Sequence, residues 1–153
     1  MIAVLAVERG TTSSVLCRVY YVSTPKVNIN IKFLSVSVYY EGSQLTVWHS
    51  DDAAESQAKA EERCNLACAT QLDALIKRLA ERGRLSSNDQ FVNEGDGIWA
   101  IKTRCGLRAY GWFHRTQRGI FVISHYINKK RQKMLRADID RVNKNRKISD
   151  PGD

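Results

Sequence analysis

Ile98-Trp99-Ala100-Ile101, Leu107 to Phe113, and Ile120-Phe121-Val122-Ile123 with its continuation Ser124-His125-Tyr126-Ile127 are the three apolar runs on which the reading of this chain turns. Cys105-Gly106 lies in the first gap, and Arg115-Thr116-Gln117-Arg118-Gly119 fills the second. Short gaps containing glycine between β-branched and aromatic runs are hairpin signals. The spacing therefore predicts an antiparallel meander. After it come Asn128-Lys129-Lys130-Arg131-Gln132-Lys133 and a basic helix over 134–146, with Leu135, Ile139 and Val142 as its apolar stripe.

Upstream, Ser50-Asp51-Asp52 reads as a helix start, with acidic residues at the positive end of the helix dipole. The helical pattern continues to Arg82, and Leu72, Leu75, Ile76 and Leu79 form a stripe at spacings of three and four. Gly83 is the expected C-cap. The stretch is either one long helix or two with a break near Asn65. Residues 84–97 read as a polar loop. Before the helix, Val15 to Tyr21 is a plausible strand, and Val27 to Phe33 alternates as a half-buried strand should. The alternation changes phase at Phe33-Leu34, and residues 34–40 and 44–48 follow as further strand segments around the turn Glu41-Gly42-Ser43. These patterns place a β-rich extension at 1–45, a domain at 46–147 and a frayed tail at 148–153.

The length suits a single core. No run of 18 apolar residues exists, so no transmembrane helix is expected. Met1 to Val7 is apolar but lacks a basic leader and ends at Glu8-Arg9, so it reads as a strand or an extension and not as an export signal. The expected compartment is the cytoplasm. Cys17, Cys64, Cys68 and Cys105 form no Cys-x-x-Cys pair, and the expectation is buried free thiols. The net charge of +8 is unevenly placed: residues 98–153 carry 14 Lys and Arg against 4 Asp and Glu, whereas residues 1–97 carry 10 against 12. That footprint suits a polyanion. It equally suits a solvated basic surface that meets an acidic protein.

Glycine-rich phosphate loops, a serine nucleophile elbow and a His-x-x-x-His metal pair are all absent. What remains is a cluster of cationic and hydrogen-bonding groups on the predicted sheet. Arg108, Tyr110, Trp112 and His114 are spaced by two and share one face of the second strand. Two readings stand. The four form either an aromatic core layer with Arg and His at its ends, or a platform on which guanidinium groups fork phosphates and rings stack on bases. Lys102 and Arg104 flank the same region.

His125, Lys129-Lys130, Gln132-Lys133 and Asp138-Ile139-Asp140-Arg141 together resemble the C-terminal signature of HigB/RelE-type toxins of type II toxin–antitoxin systems, in particular the phage-derived HigB-like branch. Gly97-Ile98-Trp99, Ile101, Arg104 and Leu107-Arg108 are similar to the same family's strands. The resemblance implies an α+β domain over 46–147, with a helix or helical hairpin packed on a twisted antiparallel sheet and a C-terminal basic helix. It implies a metal-independent endoribonuclease, an mRNA interferase that inhibits translation on the ribosome and needs no cofactor. Arg108 and Arg104 would stabilise charge on the phosphate, and His125, Lys129 and Lys130 would supply base, acid or phosphate contacts. Lys102, Tyr110, Trp112, His114, Arg131 and Lys133 would bind RNA. The implied partners are a HigA-like helix-turn-helix antitoxin, mRNA and the ribosome, and no membrane. The rival class is a non-catalytic phage or mobile-element protein that uses the fold to bind a host protein or nucleic acid.

Overall fold

The computed structural model describes residues 36–129 and 134–151. In chain order the elements are β1 (Val36–Glu41), β2 (Thr46–Ser50), α1 (Asp51–Glu61), α2 (Leu66–Arg82), β3 (Phe91–Gly95), β4 (Ile98–Lys102), β5 (Leu107–Phe113), β6 (Ile120–Asn128) and α3 (Arg136–Ser149). They make an α+β architecture around one sheet of six strands, ordered β1-β2-β6-β5-β4-β3. The expected meander is its centre: β4, β5 and β6 pair antiparallel in sequence order.

The helical stretch is broken where the chain supplies a new cap. Asn65 is extended, and its side chain accepts a hydrogen bond from Cys68 N, which satisfies one of the orphan donors of α2. Gly83 closes α2 in the left-handed conformation (φ 67°), and its N–H donates to Leu79 O. Leu72, Leu75, Ile76 and Leu79 are all buried on the sheet, joined by Val47, Ile101, Leu107, Ala109, Phe121 and Ile123. The opposite face holds a second cluster of Ile98, Ala100, Tyr110, Trp112, Val122, Met134 and Val142 beneath α3.

A bulge in β6 separates its two halves. Tyr110 pairs with His125, but the next residue, Gly111, pairs with Ile123, so Ser124 is extra. The groups this leaves unpaired are taken up by side chains. Tyr126 N donates to Ser56 Oγ of α1 at 3.0 Å, and Ser124 O accepts from Ser50 Oγ at 2.7 Å and from Asn145 Nδ2 at 3.2 Å. Ser50, which precedes α1, makes that bond in place of a side-chain cap.

Several expectations are corrected. The sheet is mixed, because β2 runs parallel to β6, from Thr46 beside Ile120 to His49 beside Ile123. The long stretch between these strands provides the crossover that a parallel pair requires. The supposed loop 84–97 contains the edge strand β3, whose polar Asn93 and Glu94 mask its pairing with β4. The boundary expected at residue 45 falls inside the β1–β2 hairpin. Within the expected tail, Asp150 is held by its carboxylate, which accepts from Arg115 N at 3.0 Å, and residues 152 and 153 lie outside the described residues. Cys68 and Cys105 are joined in a disulfide, and Cys64 is a free thiol. Leu135 is half-exposed ahead of α3 and not part of a buried stripe, while Val142 is buried. The strands expected at 15–21 and 27–33, together with Cys17, lie outside the described residues.

Candidate functional site

The β4–β5 turn and the C-terminal end of β6 meet at one corner of the sheet. Gly106 makes that meeting possible: its φ of 101° is a conformation side chains rarely adopt, and an added Cβ would stand 2.8 Å from Lys129 O. Lys129 N donates to Gly106 O at 3.0 Å, which locks the strand end to the turn. At this corner Lys102, Arg104, Arg108 and Lys129 line a groove of about 900 Å³, whose far wall includes Ser87, Asp89 and Gln90.

The four cations are held differently. Lys102 pairs with Glu94 at 2.5 Å, and both side chains are largely covered. Arg104 is exposed on the turn, and Arg108 is buried in β5. Lys129 Nζ donates to Asp138 Oδ2 at 3.0 Å and lies 5.6 Å from the centre of the Tyr110 ring. Asp138 is buried in the first turn of α3, where the same oxygen also accepts from Leu135 N at 3.3 Å. Its carboxylate both starts the helix and positions the lysine. The groove thus gathers four cations, of which Lys102 and Lys129 are ion-paired, and guanidinium groups of this kind can fork the oxygens of phosphates.

Behind the groove the candidates enter the core. Tyr110, Trp112 and His125 are covered, with Tyr110 and His125 rings 5.4 Å apart. His125 Nδ1 is 3.0 Å from Ser124 Oγ, which also accepts from Asn145 Nδ2 at 2.9 Å. Its Nε2 is 3.9 Å from Asp138 Oδ1, too far for a hydrogen bond. Burial, aided by the Arg141 guanidinium, pushes the pKa of His125 down to about 4, so the ring is neutral near pH 7. Trp112 packs under Arg146, whose guanidinium carbon is 5.6 Å from the ring centre. His114 sits at the far end of β5, edge-on to Trp48 and 3.5 Å from Asp150.

Of the two readings of the Arg108–His114 face, the structure therefore takes the core layer with Arg and His at its ends. Tyr110 and Trp112 meet α3 and cannot stack on bases in this arrangement, and His125 is walled off from the groove. Lys102, Arg104, Arg108 and Lys129 are brought together. Lys130, Arg131 and Lys133 lie outside the described residues. The residues missed from sequence are Asp138 in its positioning role, and the wall around Ser87 and Gln90. Asp138 was visible only as part of an acidic helix signature, and the wall lies in a stretch with no apolar period.

A second anchor ties α3 to α1. Asp52 receives two bonds from Arg141, each 2.5 Å, and one from Asn145 at 3.0 Å. The Arg141 bond, with Asn145 beside it, holds the Asp52 carboxyl below its usual range. Among the described residues no group of His, Cys, Asp and Glu is arranged to hold a metal ion, and no helix is long and apolar enough to cross a membrane.

Fold and groove together define an α+β protein with a cationic groove at one corner of a mixed sheet. No family model, curated protein or solved structure matches the chain.

Proposed function

We propose that the protein is an RNA-directed toxin of the HigB/RelE type, an endoribonuclease that binds the phosphates of mRNA in the groove of Lys102, Arg104, Arg108 and Lys129. One observation carries this reading. Four cations from β4, the β4–β5 turn, β5 and the end of β6 converge on a single groove. The helical pair packed on the sheet and the C-terminal helix also support it, in a sheet that is mixed where the resemblance implies an antiparallel one.

Cleavage requires a base to take the 2′-hydroxyl proton while that oxygen attacks phosphorus. The bond from phosphorus to the 5′-oxygen then breaks, and an acid protonates the leaving oxygen. In this proposal Arg104 and Arg108 hold the phosphate as its charge builds, water in the open groove takes the 2′-hydroxyl proton, and Lys129, fixed by Asp138, gives a proton to the leaving 5′-oxygen. The wall around His125 removes it from direct proton transfer and gives it a packing role. A HigA-like antitoxin would cover the groove, and the ribosome would present the mRNA. The burial of His125 and Tyr110 specifically favours a second reading, in which the groove binds nucleic acid without cutting it.

Induced expression in a bacterium, with growth followed and mRNA 5′ ends mapped, separates the two. The toxin reading expects arrest and new internal ends, with Arg108→Ala and Lys129→Ala reducing cleavage on the order of 10²–10³-fold. Normal growth with soluble, folded protein that still binds RNA would overturn it in favour of the binding reading.

A further inference from the structure

We propose that the Cys68–Cys105 pair is a thiol-exchange site, and that a small-molecule thiol opening this bond loosens the rim of the cationic groove. The inference rests on the groove reading above and adds a control to it. Cys105 follows Arg104 on the turn between β4 and β5, and both residues line the groove. Its partner Cys68 is buried in the first turn of α2, and the bond closes a separation of 37 residues. The tether therefore pins the most exposed cation of the groove to the helical pair on the opposite side of the sheet.

The bond is placed for exchange. Cys105 is exposed, so an incoming thiolate can reach its sulfur, and the neighbouring cations attract an anionic attacker. Cys68 leaves at the N-terminal end of α2, where the helix dipole favours negative charge. The thiolate bonds to the Cys105 sulfur as the S–S bond breaks, and the electron pair departs on Cys68. A second thiolate then attacks the mixed disulfide at the sulfur of the first, which releases Cys105 as thiolate. Two molecules of thiol are oxidised to their disulfide, and the protein takes up two electrons.

The consequence for the groove follows from the contacts of the turn. Thr103 Oγ1 lies 3.0 Å from Cys105 Sγ and 3.6 Å from Cys68 Sγ, and Gly106 O holds Lys129 N. Asn128 Nδ2, next to Lys129, donates to Arg63 O just ahead of α2 at 3.0 Å. The bond and this contact are two fastenings between the helical pair and the groove. With one opened, Arg104 must be ordered on binding and is no longer ordered beforehand, which weakens affinity.

The test uses the full chain, oxidised or reduced with dithiothreitol, with released thiols counted by alkylation. Binding of a short single-stranded oligoribonucleotide and of inorganic triphosphate is measured in both states, beside Cys105→Ser and Cys68→Ser variants whose folding is checked by circular dichroism. The expected result is two additional thiols on reduction and affinity weaker by roughly three- to tenfold. Each variant should match the reduced protein and ignore the reductant. Equal affinity in the two states overturns the latch while leaving the groove standing, as does finding no thiols released. Binding of neither probe in either state overturns the groove reading and the latch with it.

Discussion

On the face beneath α1 and α2, the central strands present Leu107, Ala109, Phe121 and Ile123 to a stripe of buried leucine and isoleucine. On the face beneath α3, the same strands present Arg108, Tyr110, Trp112 and His125 to a helix whose buried residues are Asp138, Val142, Asn145 and Ser149. The first interface is closed mainly by apolar area, with the Cys68–Cys105 bond and the bond from Tyr126 N to Ser56 Oγ beside it. The second adds ion pairs and hydrogen bonds to a smaller apolar cluster, and Tyr110 Oη, Trp112 Nε1 and His125 Nε2 find no hydrogen-bond partner among the described residues. Burying polar groups in this way costs stability. The difference teaches a division of labour: one face holds the sheet together, and the other fixes charged groups in place at a corner of it.

Core truncation gives the sharpest break of that comparison. Leu79→Ala, under α2, is expected to lower unfolding free energy by about 2–5 kcal/mol. Val142→Ala, under α3, removes less apolar volume and is expected to cost about 1.5 kcal/mol. Urea titrations measure both, and equal losses would erase the distinction between the faces.

Acid tests a property the two faces share. His49, stacked on Tyr39 and bonded to Tyr126 Oη at 2.7 Å, lies on the α2 side, and His125 lies on the α3 side. Burial pushes both imidazoles from the ordinary value of 6.5 to about 4. As pH falls, the unfolded chain takes up these protons first, so stability is full above about pH 6.5 and drains away between 6.5 and 4. The loss approaches about 3 kcal/mol per imidazole at the acid end. His125→Gln should remove its share of the slope between pH 7.5 and 4.5 and leave that of His49. An unchanged slope would refute a buried neutral ring beneath α3.

The smallest effect is expected at the Asp52–Arg141 pair, which is partly open to solvent. Arg141→Gln should cost about 1 kcal/mol after allowance for screening. Amide hydrogen exchange should quicken in α3 and stay unchanged in α2. Equal acceleration of both helices would mean that α3 does not detach separately.

Much of the fold was legible because local pattern and final structure agree. The gaps at Cys105-Gly106 and Arg115–Gly119 are turns, the leucine stripe to Leu79 packs as spaced, and Gly83 caps α2. Most of the failures share one physical origin, what meets an element from far along the chain, whereas β3 is hidden by its own polar residues. The parallel pairing of β2 with β6 has no local signal, nor has a bond between Cys68 and Cys105. The Arg108-Tyr110-Trp112-His114 alternation defines one face, but alternation cannot say whether solvent or a helix covers it. Of the candidate site, its cations were legible from charge and its carboxylate anchor was not.

The extra residue in β6 has a further consequence, one of parity. Side chains alternate along a strand, and a bulge absorbs one extra residue so that those after it keep the faces their partners on β5 dictate. Because Ser124 is looped out, Tyr126 falls on the α2 side, while His125, Ile127 and Lys129 fall on the side of Arg108. Loss of the Ser124 codon would leave Ile123 and His125 in the register they already hold opposite Gly111 and Tyr110, so Lys129 would keep its side while the bonds of Ser124 to Ser50 and Asn145 were lost. The extra residue thus serves the joint between the sheet and its helices, while the corner of positive charge is set by the register on either side of it.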